Sequence, residues 1–497
     1  MPSFTVVIIG SGFGGQCAAI DLLRRGIDDV VILERRDFFG GTWSQNSYPG
    51  AAVDVQSPLY SIASEPYDWS QMFAEQDELE RYTHHVIAKH GLGERTVLGA
   101  TVERIEWIDD TWVVSTTKGE YRARFVVNAT GPLSTPVTPP FPGRETFEGT
   151  QFHTNDWHGD YDHSGKRVAI IGSGASAAQI IPAIQPDVDS LHVFQRSPHW
   201  VMPRPDRRFR PWQRRAMRSR LVQRAVRAAI YWKLETRIIG FKYSRRGLWL
   251  FAERHARTLL KNQIADPELR AKLTPDYTIG CKRIILSNTL YPAIAAPNTV
   301  LHDKHDGIAA ITPTGITTTT GEEVDLDLIV FSTGYDATDG VIPYPVVGRN
   351  GVKLGDVWDD YPRAYLGTTV PAFPNLFIVT GPNTGIGHTS AIFVIEAQMN
   401  YVMQAIEHTL GASARSIEVT ADAEDEYTDM IHREMDRTVW KNGGCTSWYK
   451  SKSGRVIAMF PGFSFTYRRL AKSFRPEHHV LGATSQEREL LERSTTS

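Results

Sequence analysis

Two stretches of the chain repeat one order of apolar and polar positions. Each is a short apolar run rich in β-branched side chains that breaks into glycines, continues as small residues at helical spacing, and returns to an apolar run ending in a polar residue. A continuous run suits a parallel strand buried on both faces, and small residues suit a helix that must lie close to the sheet. The pattern predicts two mononucleotide-binding βαβ units about 160 residues apart. The fold class is therefore α/β, with two Rossmann-like dinucleotide-binding domains. The first unit reads VVIIGSGFGGQCAAIDLLRRGIDDVVILER, with Gly10, Gly12 and Gly15 in GxGxxG, and the second VAIIGSGASAAQIIPAIQPDVDSLHVFQRS, with Gly172, Gly174 and Ala177 in GxGxxA. The first glycine permits the sharp turn and the second admits a pyrophosphate to the helix N-terminus. The third position must be small so that helix and strand can touch. Ser176, inside the second turn, joins the candidate cofactor residues.

The polar residue 24 positions after the first glycine differs between the copies, Glu34 in one and Arg196 in the other. A carboxylate accepts hydrogen bonds from the ribose hydroxyls of an adenine dinucleotide, whereas a cation followed by Ser197 suits a 2′-phosphate. FAD is expected in the first unit and NADPH in the second. ARFVVNATGP (123–132), LDLIVFSTGYD and NLFIVTGPNTG each read as a strand leaving through a tight glycine turn, as where a chain crosses between nucleotide-binding domains. The expected plan is nested: an FAD domain from 1–150 that resumes over 375–497, and an NADPH domain over 151–374. The latter contains a basic helical insert at about 204–275.

Charge is uneven. The net value of −2 hides a segment, 204–246, with fifteen Lys/Arg against Asp206 and Glu235, interleaved with Trp212, Ile230, Tyr231, Trp232 and Phe241 at helical spacing. Three readings compete for it: a solvated face covering the active site, which is favoured, then weak contact with a membrane surface, and steering of an anionic cofactor. The near-zero balance argues against a dedicated nucleic-acid binder. Only Cys17, Cys281 and Cys445 are present, far apart and without CxxC, so no disulfide framework, metal site or dithiol redox centre is expected, and a reducing cytoplasm is the natural compartment. No apolar run reaches the ~18 residues of a spanning helix.

FEGTQFHTNDWH (147–158) fits FxGxxxHxxxW and GGTWSQNSYPGAAVD (40–54) fits GGxWxxxxYPGxxxD. With KLTPDYTIGCKRIILSN, GPNTGIGHTSAIFVIEAQ and CTSWYKSKSGRVIAMFPGFSFTYRRLAKSF further along, the chain resembles the type I Baeyer–Villiger monooxygenases over nearly its full length. The first fingerprint departs from the family in carrying His158 after the tryptophan, where Pro or Asp is usual.

The resemblance implies an FAD- and NADPH-dependent enzyme that uses molecular oxygen, through a peroxyflavin, to insert one oxygen atom beside a ketone carbonyl, giving an ester or lactone. It assigns Arg283 as the active-site cation and Asp54 as its partner, and carries Lys282 to the 2′-phosphate beside Arg196 and Ser197. An arginine cannot give up its proton and so remains a fixed charge beside an anionic peroxide. Thr42, Trp43, Asp54 and Tyr60 would line the flavin, with the backbone of Val102 under the adenine end. His153 and Trp157, four apart and on one face if that stretch were helical, would shape the hinge between domains. His388, in a glycine-rich turn, would contact flavin or substrate, although glycine loops hold many idle histidines. The nearest rival is an N- or S-oxygenating flavin-containing monooxygenase. A flavin disulfide reductase is disfavoured by the missing CxxC, and a non-enzymatic flavoprotein is the third alternative.

Overall fold

The computed structural model describes residues 1–337 and 341–483, so the end of the 375–497 segment lies outside the described residues. Strand β1 (Ser3–Ile9), helix α1 (Phe13–Arg24) and strand β2 (Val30–Leu33) form the first βαβ unit, with β1 and β2 parallel in the register Val6 to Val30. Both strands are buried along their apolar runs, which is why the sequence there does not alternate. Strand β3 (Thr96–Val97) extends this sheet beyond β2, and β4 (Val102–Ile108), β5 (Thr111–Thr116) and β6 (Gly119–Asn128) add an antiparallel meander on the other side of β1. The end of β6 pairs with both β1 and Leu376–Ile378, all parallel.

The second sheet is wholly parallel. Strand β7 (Thr150–His153) lies at one edge, followed by Leu328–Phe331, then β8 (Arg167–Ile171), β9 (Ser190–Phe194) and Thr299–His302. Helix Ala175–Ile184 follows β8, so the second glycine turn sits as the first does. One boundary differs from expectation, and one conditional reading is decided. The chain rejoins the first sheet at Val346–Val347, which pairs with β4, ahead of the return at 375. Residues 150–157 are strand and one 3₁₀ turn, not helix, so His153 and Trp157 do not share a helical face.

The basic segment is helical, through Pro211–Met217, Arg220–Glu235, Arg254–Gln263 and shorter turns. Among the described residues no helix is long and apolar enough to cross a membrane.

The cysteine expectation is overturned. Cys281 and Cys445, 164 residues apart, form a disulfide with Cα atoms 6.0 Å apart. Sequence spacing cannot foresee this pair, because it exists only where 278–281 packs against 443–445, tied by Thr278 N–H to Gly443 O at 2.9 Å. Closing so long a loop restricts the unfolded chain by up to about 5 kcal/mol. Cys445→Ser should therefore lower the thermal midpoint, and a peptide map without reductant should contain the 281–445 link. Three titratable thiols in the denatured, unreduced protein would contradict it.

Candidate active site

The glycines of both turns have distinct jobs. Gly10 and Gly172 adopt φ of +105° and +129°, and a Cβ on either would lie 2.6 or 2.2 Å from the carbonyl oxygen of Ala129 or Ser332. Those carbonyls belong to two of the strand-to-glycine exits, so each exit abuts the first glycine of one dinucleotide turn. A Cβ on Gly15 would stand 1.9 Å from Gly10 O, whereas one on Gly12 meets nothing nearer than Gly41 Cα at 3.6 Å and one on Gly174 meets nothing within 4 Å. Neither helix has a side-chain cap at its N-terminus, where Gly12 and Gly174 are the capping residues. Open space beside uncapped N–H groups fits a pyrophosphate at both places. Gly15→Ala should fail to yield folded protein. Gly12→Ala should fold with an unchanged far-ultraviolet spectrum yet copurify with little flavin; full flavin content would remove the pyrophosphate from that turn.

Glu34 is buried at the end of β2, where its Oε2 accepts from Ser11 N–H at 2.9 Å and Ser11 Oγ at 2.7 Å, and its Oε1 from Arg36 N–H at 3.0 Å. A carboxylate has about four lone-pair sites, so a ribose hydroxyl can still join. Ser11 Oγ also accepts from Gly40 N–H at 3.2 Å, which draws the 40–54 fingerprint onto the first turn. Thr42 and Trp43 begin a one-turn helix there, and Trp43 Nε1 donates to Tyr60 Oη at 3.2 Å. Val102 opens β4 with its side chain in the core beside Leu33 and Ala100, and Ala100 N–H donates to Glu34 O at 2.8 Å.

The same fingerprint reaches the second unit. Tyr48 Oη donates to Gln179 Oε1 at 3.1 Å, Gln179 Nε2 donates to Ala52 O at 2.8 Å, and a Cβ on Gly50 would meet Gln179 O at 2.6 Å. Ser176 hydrogen-bonds to Tyr48, and Ala177 is fully buried against the sheet. Asp54, two residues beyond Ala52, therefore closes a stretch that touches both βαβ units.

Asp54 and Arg283 form a two-pronged ion pair, Oδ2 to Nε at 2.6 Å and Oδ1 to Nη2 at 2.5 Å. Burial alone would raise the Asp54 carboxyl, but the charge and hydrogen bonds of Arg283, with Arg204 adding to the field, hold it below its ordinary value. Asp54 in turn raises Arg283, although burial opposes this, so the guanidinium stays charged. Nearly half of the Arg283 side chain remains accessible. Tyr60 and Tyr449 flank the pair, each pushed up to about 12 chiefly by burial, and so present neutral hydroxyls. Arg237 adds a cation that burial weakens and Asp54 supports. Tyr449 lies in the CTSWYKS stretch and was visible only as part of a motif, while nothing in the sequence separates Arg237 from its basic neighbours.

Next along the chain, Lys282 Nζ donates to Ser197 Oγ at 2.8 Å. Burial lowers Lys282 first and neighbouring Arg196 lowers it further, with Asp276 only partly opposing them, as where cations gather. His199, pushed down to about 4 by burial and Lys282, is neutral between this cluster and the Arg283 backbone.

His153 is buried, accepts from Asn155 N–H at its Nδ1 at 3.0 Å, and is lowered by burial. Trp157 packs edge-on against Phe152 with ring centres 5.0 Å apart, and His158 lies over the same ring at 4.7 Å. His388 is fully buried with Nε2 3.3 Å from Glu235 Oε2, and Glu235 also accepts from Ser464 N–H and Oγ at 2.6 and 2.7 Å. It ties the insert to the first unit's later segments.

A family model described as pyridine nucleotide-disulphide oxidoreductase matches residues 7–240. A Baeyer-Villiger monooxygenase of Pseudomonas aeruginosa is 43% identical over 485 residues, covering 96% of this chain and 92% of its own. One from Streptomyces coelicolor is 42% identical, covering 93% and 90%. Among solved structures, the closed form of cyclohexanone monooxygenase superposes with a TM-score of 0.87 at 28% identity, over 97% of this chain and all of that one. The NADP+-bound cyclohexanone monooxygenase from Rhodococcus sp. Phi1 gives 0.86 at 29%, over the same shares.

Proposed function

The chain belongs to the type I Baeyer–Villiger monooxygenases, and on that basis we propose that its substrate is a ketone oxidised over the Arg283–Asp54 pair. It is an FAD-containing, NADPH-dependent enzyme. Bound FAD, once reduced by NADPH, supplies the electrons with which oxygen is activated and one atom inserted beside a carbonyl, the other leaving as water. The observation that carries the assignment of Arg283 is its two-pronged ion pair with Asp54, at the end of the stretch that touches both βαβ units.

Arg283 places a permanent cation where negative charge gathers on oxygen. Asp54 fixes the plane of that guanidinium, since two parallel hydrogen bonds leave little freedom to rotate. The Tyr60 and Tyr449 hydroxyls stay protonated near neutral pH, so each keeps a proton to donate, Tyr60 while also accepting from Trp43 Nε1. Trp43, edge-on to Tyr60 with ring centres 5.9 Å apart, helps keep water from the same side.

Gly10, Gly12, Gly15, Glu34, Thr42, Trp43, Tyr60 and Val102 are the residues we assign to FAD. Gly172, Gly174, Ser176, Ala177, Arg196, Ser197 and Lys282 are those assigned to NADPH. The proposed cytoplasmic site of action rests on the need for a supply of reduced nicotinamide, since the disulfide removes the argument from cysteine usage.

Purified FAD-loaded enzyme with NADPH should convert members of a panel of cyclic, linear and aryl ketones to esters or lactones, read by gas chromatography. Abundant sulfoxide from companion sulfides with no ester from any ketone would replace this reading with heteroatom oxygenation.

A further inference from the structure

Helix Arg220–Glu235 turns an apolar stripe to solvent. Leu221, Ala225, Ala228 and Trp232 follow at steps of four, three and four residues, which places them on one face, and all four are exposed, Leu221 at 76% and Trp232 at 58%. The opposite side is already satisfied. Arg227 reaches Glu396 at 3.2 Å and Ser61 O at 2.7 Å, Tyr231 meets Ser464 Oγ at 3.0 Å, and Leu234 is buried. A helix whose only task was to cover the site would carry polar residues outward.

The stripe continues in aromatic contact across the surface. The Trp232 ring lies 6.0 Å from Phe465, Phe465 stacks on Phe463 at 4.8 Å, and Phe463 stacks on Tyr243 at 6.3 Å. Among the described residues, half of the large apolar side chains left exposed fall between 212 and 251. Around them Arg215, Arg220, Arg224, Lys233 and Arg246 are exposed and make no ion pair among the described residues. A contiguous apolar patch with a charged rim marks an interaction surface.

The rim decides the partner. A second copy of the chain would bring two sets of unpaired cations together, whereas an anionic bilayer satisfies both parts: indole and phenyl rings settle at the headgroup level, and arginines meet lipid phosphates. We propose that this face docks the enzyme on an anionic lipid surface. The contact is peripheral, since no described helix is suited to spanning. It does not depend on the identity of the ketone.

The test is flotation of the FAD-loaded full chain with vesicles of phosphatidylcholine alone or mixed with phosphatidylglycerol. Each basic side chain near an anionic leaflet raises partitioning about fivefold. The wild type should float with mixed vesicles, lose that association in high salt, and bind phosphatidylcholine at least about tenfold more weakly. Arg220→Glu with Arg224→Glu, and separately Leu221→Ser with Trp232→Ser, should each reduce binding about tenfold or more, with NADPH oxidation on a soluble ketone unchanged. Equal binding to both vesicle types, no binding to either, or binding untouched by the variants would overturn the proposal. So would a dimer, seen by light scattering, that Trp232→Ser dissociates, because the stripe would then belong to a second copy.

Discussion

Arg283→Ala should let NADPH reduce the flavin while ester formation falls by about a hundredfold to a thousandfold, the usual cost of removing one donor aimed at developing negative charge. Arg283 is held by Asp54, at hydrogen-bond distances of 2.6 and 2.5 Å, and in the proposed role this fixed cation would act on charge that appears during oxygen transfer. Anaerobic stopped-flow reduction separates this step from product yield under air. NADPH oxidation should persist with its electrons lost to hydrogen peroxide instead of ester. Arg283→Lys should fall between, since lysine keeps the charge but loses the planar fork that Asp54 grips. Ester formed by Arg283→Ala at the wild-type rate would remove Arg283 from the reaction.

Arg196→Ala combined with Lys282→Ala should raise the KM for NADPH by about tenfold to a hundredfold or more and leave that for NADH nearly unchanged, because hydrogen bonds to charged groups are worth about 1.5–3 kcal/mol each. Lys282 Nζ lies 2.8 Å from Ser197 Oγ and near enough to Arg196 for the two charges to repel, so positive charge gathers beyond the end of β9. The rate at saturating NADPH should hold, since Arg283 keeps its own partner. Equal losses with both coenzymes would mean that the cluster holds something other than the 2′-phosphate.

Both predictions concern residues whose chemical type was legible before their contacts were. The Gly10 and Gly172 turns, and the exchange of Glu34 for Arg196, are local patterns, and they already give the ends of the two units opposite charge. The strand exits at 129–131 and 332–334 were legible as turns, yet their closeness to the first glycines emerges only when the strands lie side by side. His153 and Trp157 illustrate the reverse. Their spacing allowed a helical face, but pairing with Phe331 made His153 the end of a strand. The early return at Val346 was hidden because a two-residue strand carries no periodicity of its own.

The sequence by itself determined the two βαβ units, their small-residue packing positions and the sign of the charge at the end of each unit, because those depend on neighbours within a few turns of chain. Tertiary structure decided the rest. Asp54 and Arg283, 229 residues apart, form one pair, Tyr449 and Arg237 join them, and Cys281 finds Cys445. It also decided that the apolar positions of helix Arg220–Glu235 divide between a packed side and a bare one. Helical spacing says which residues share a face; only the packing of the remaining chain says which face is covered.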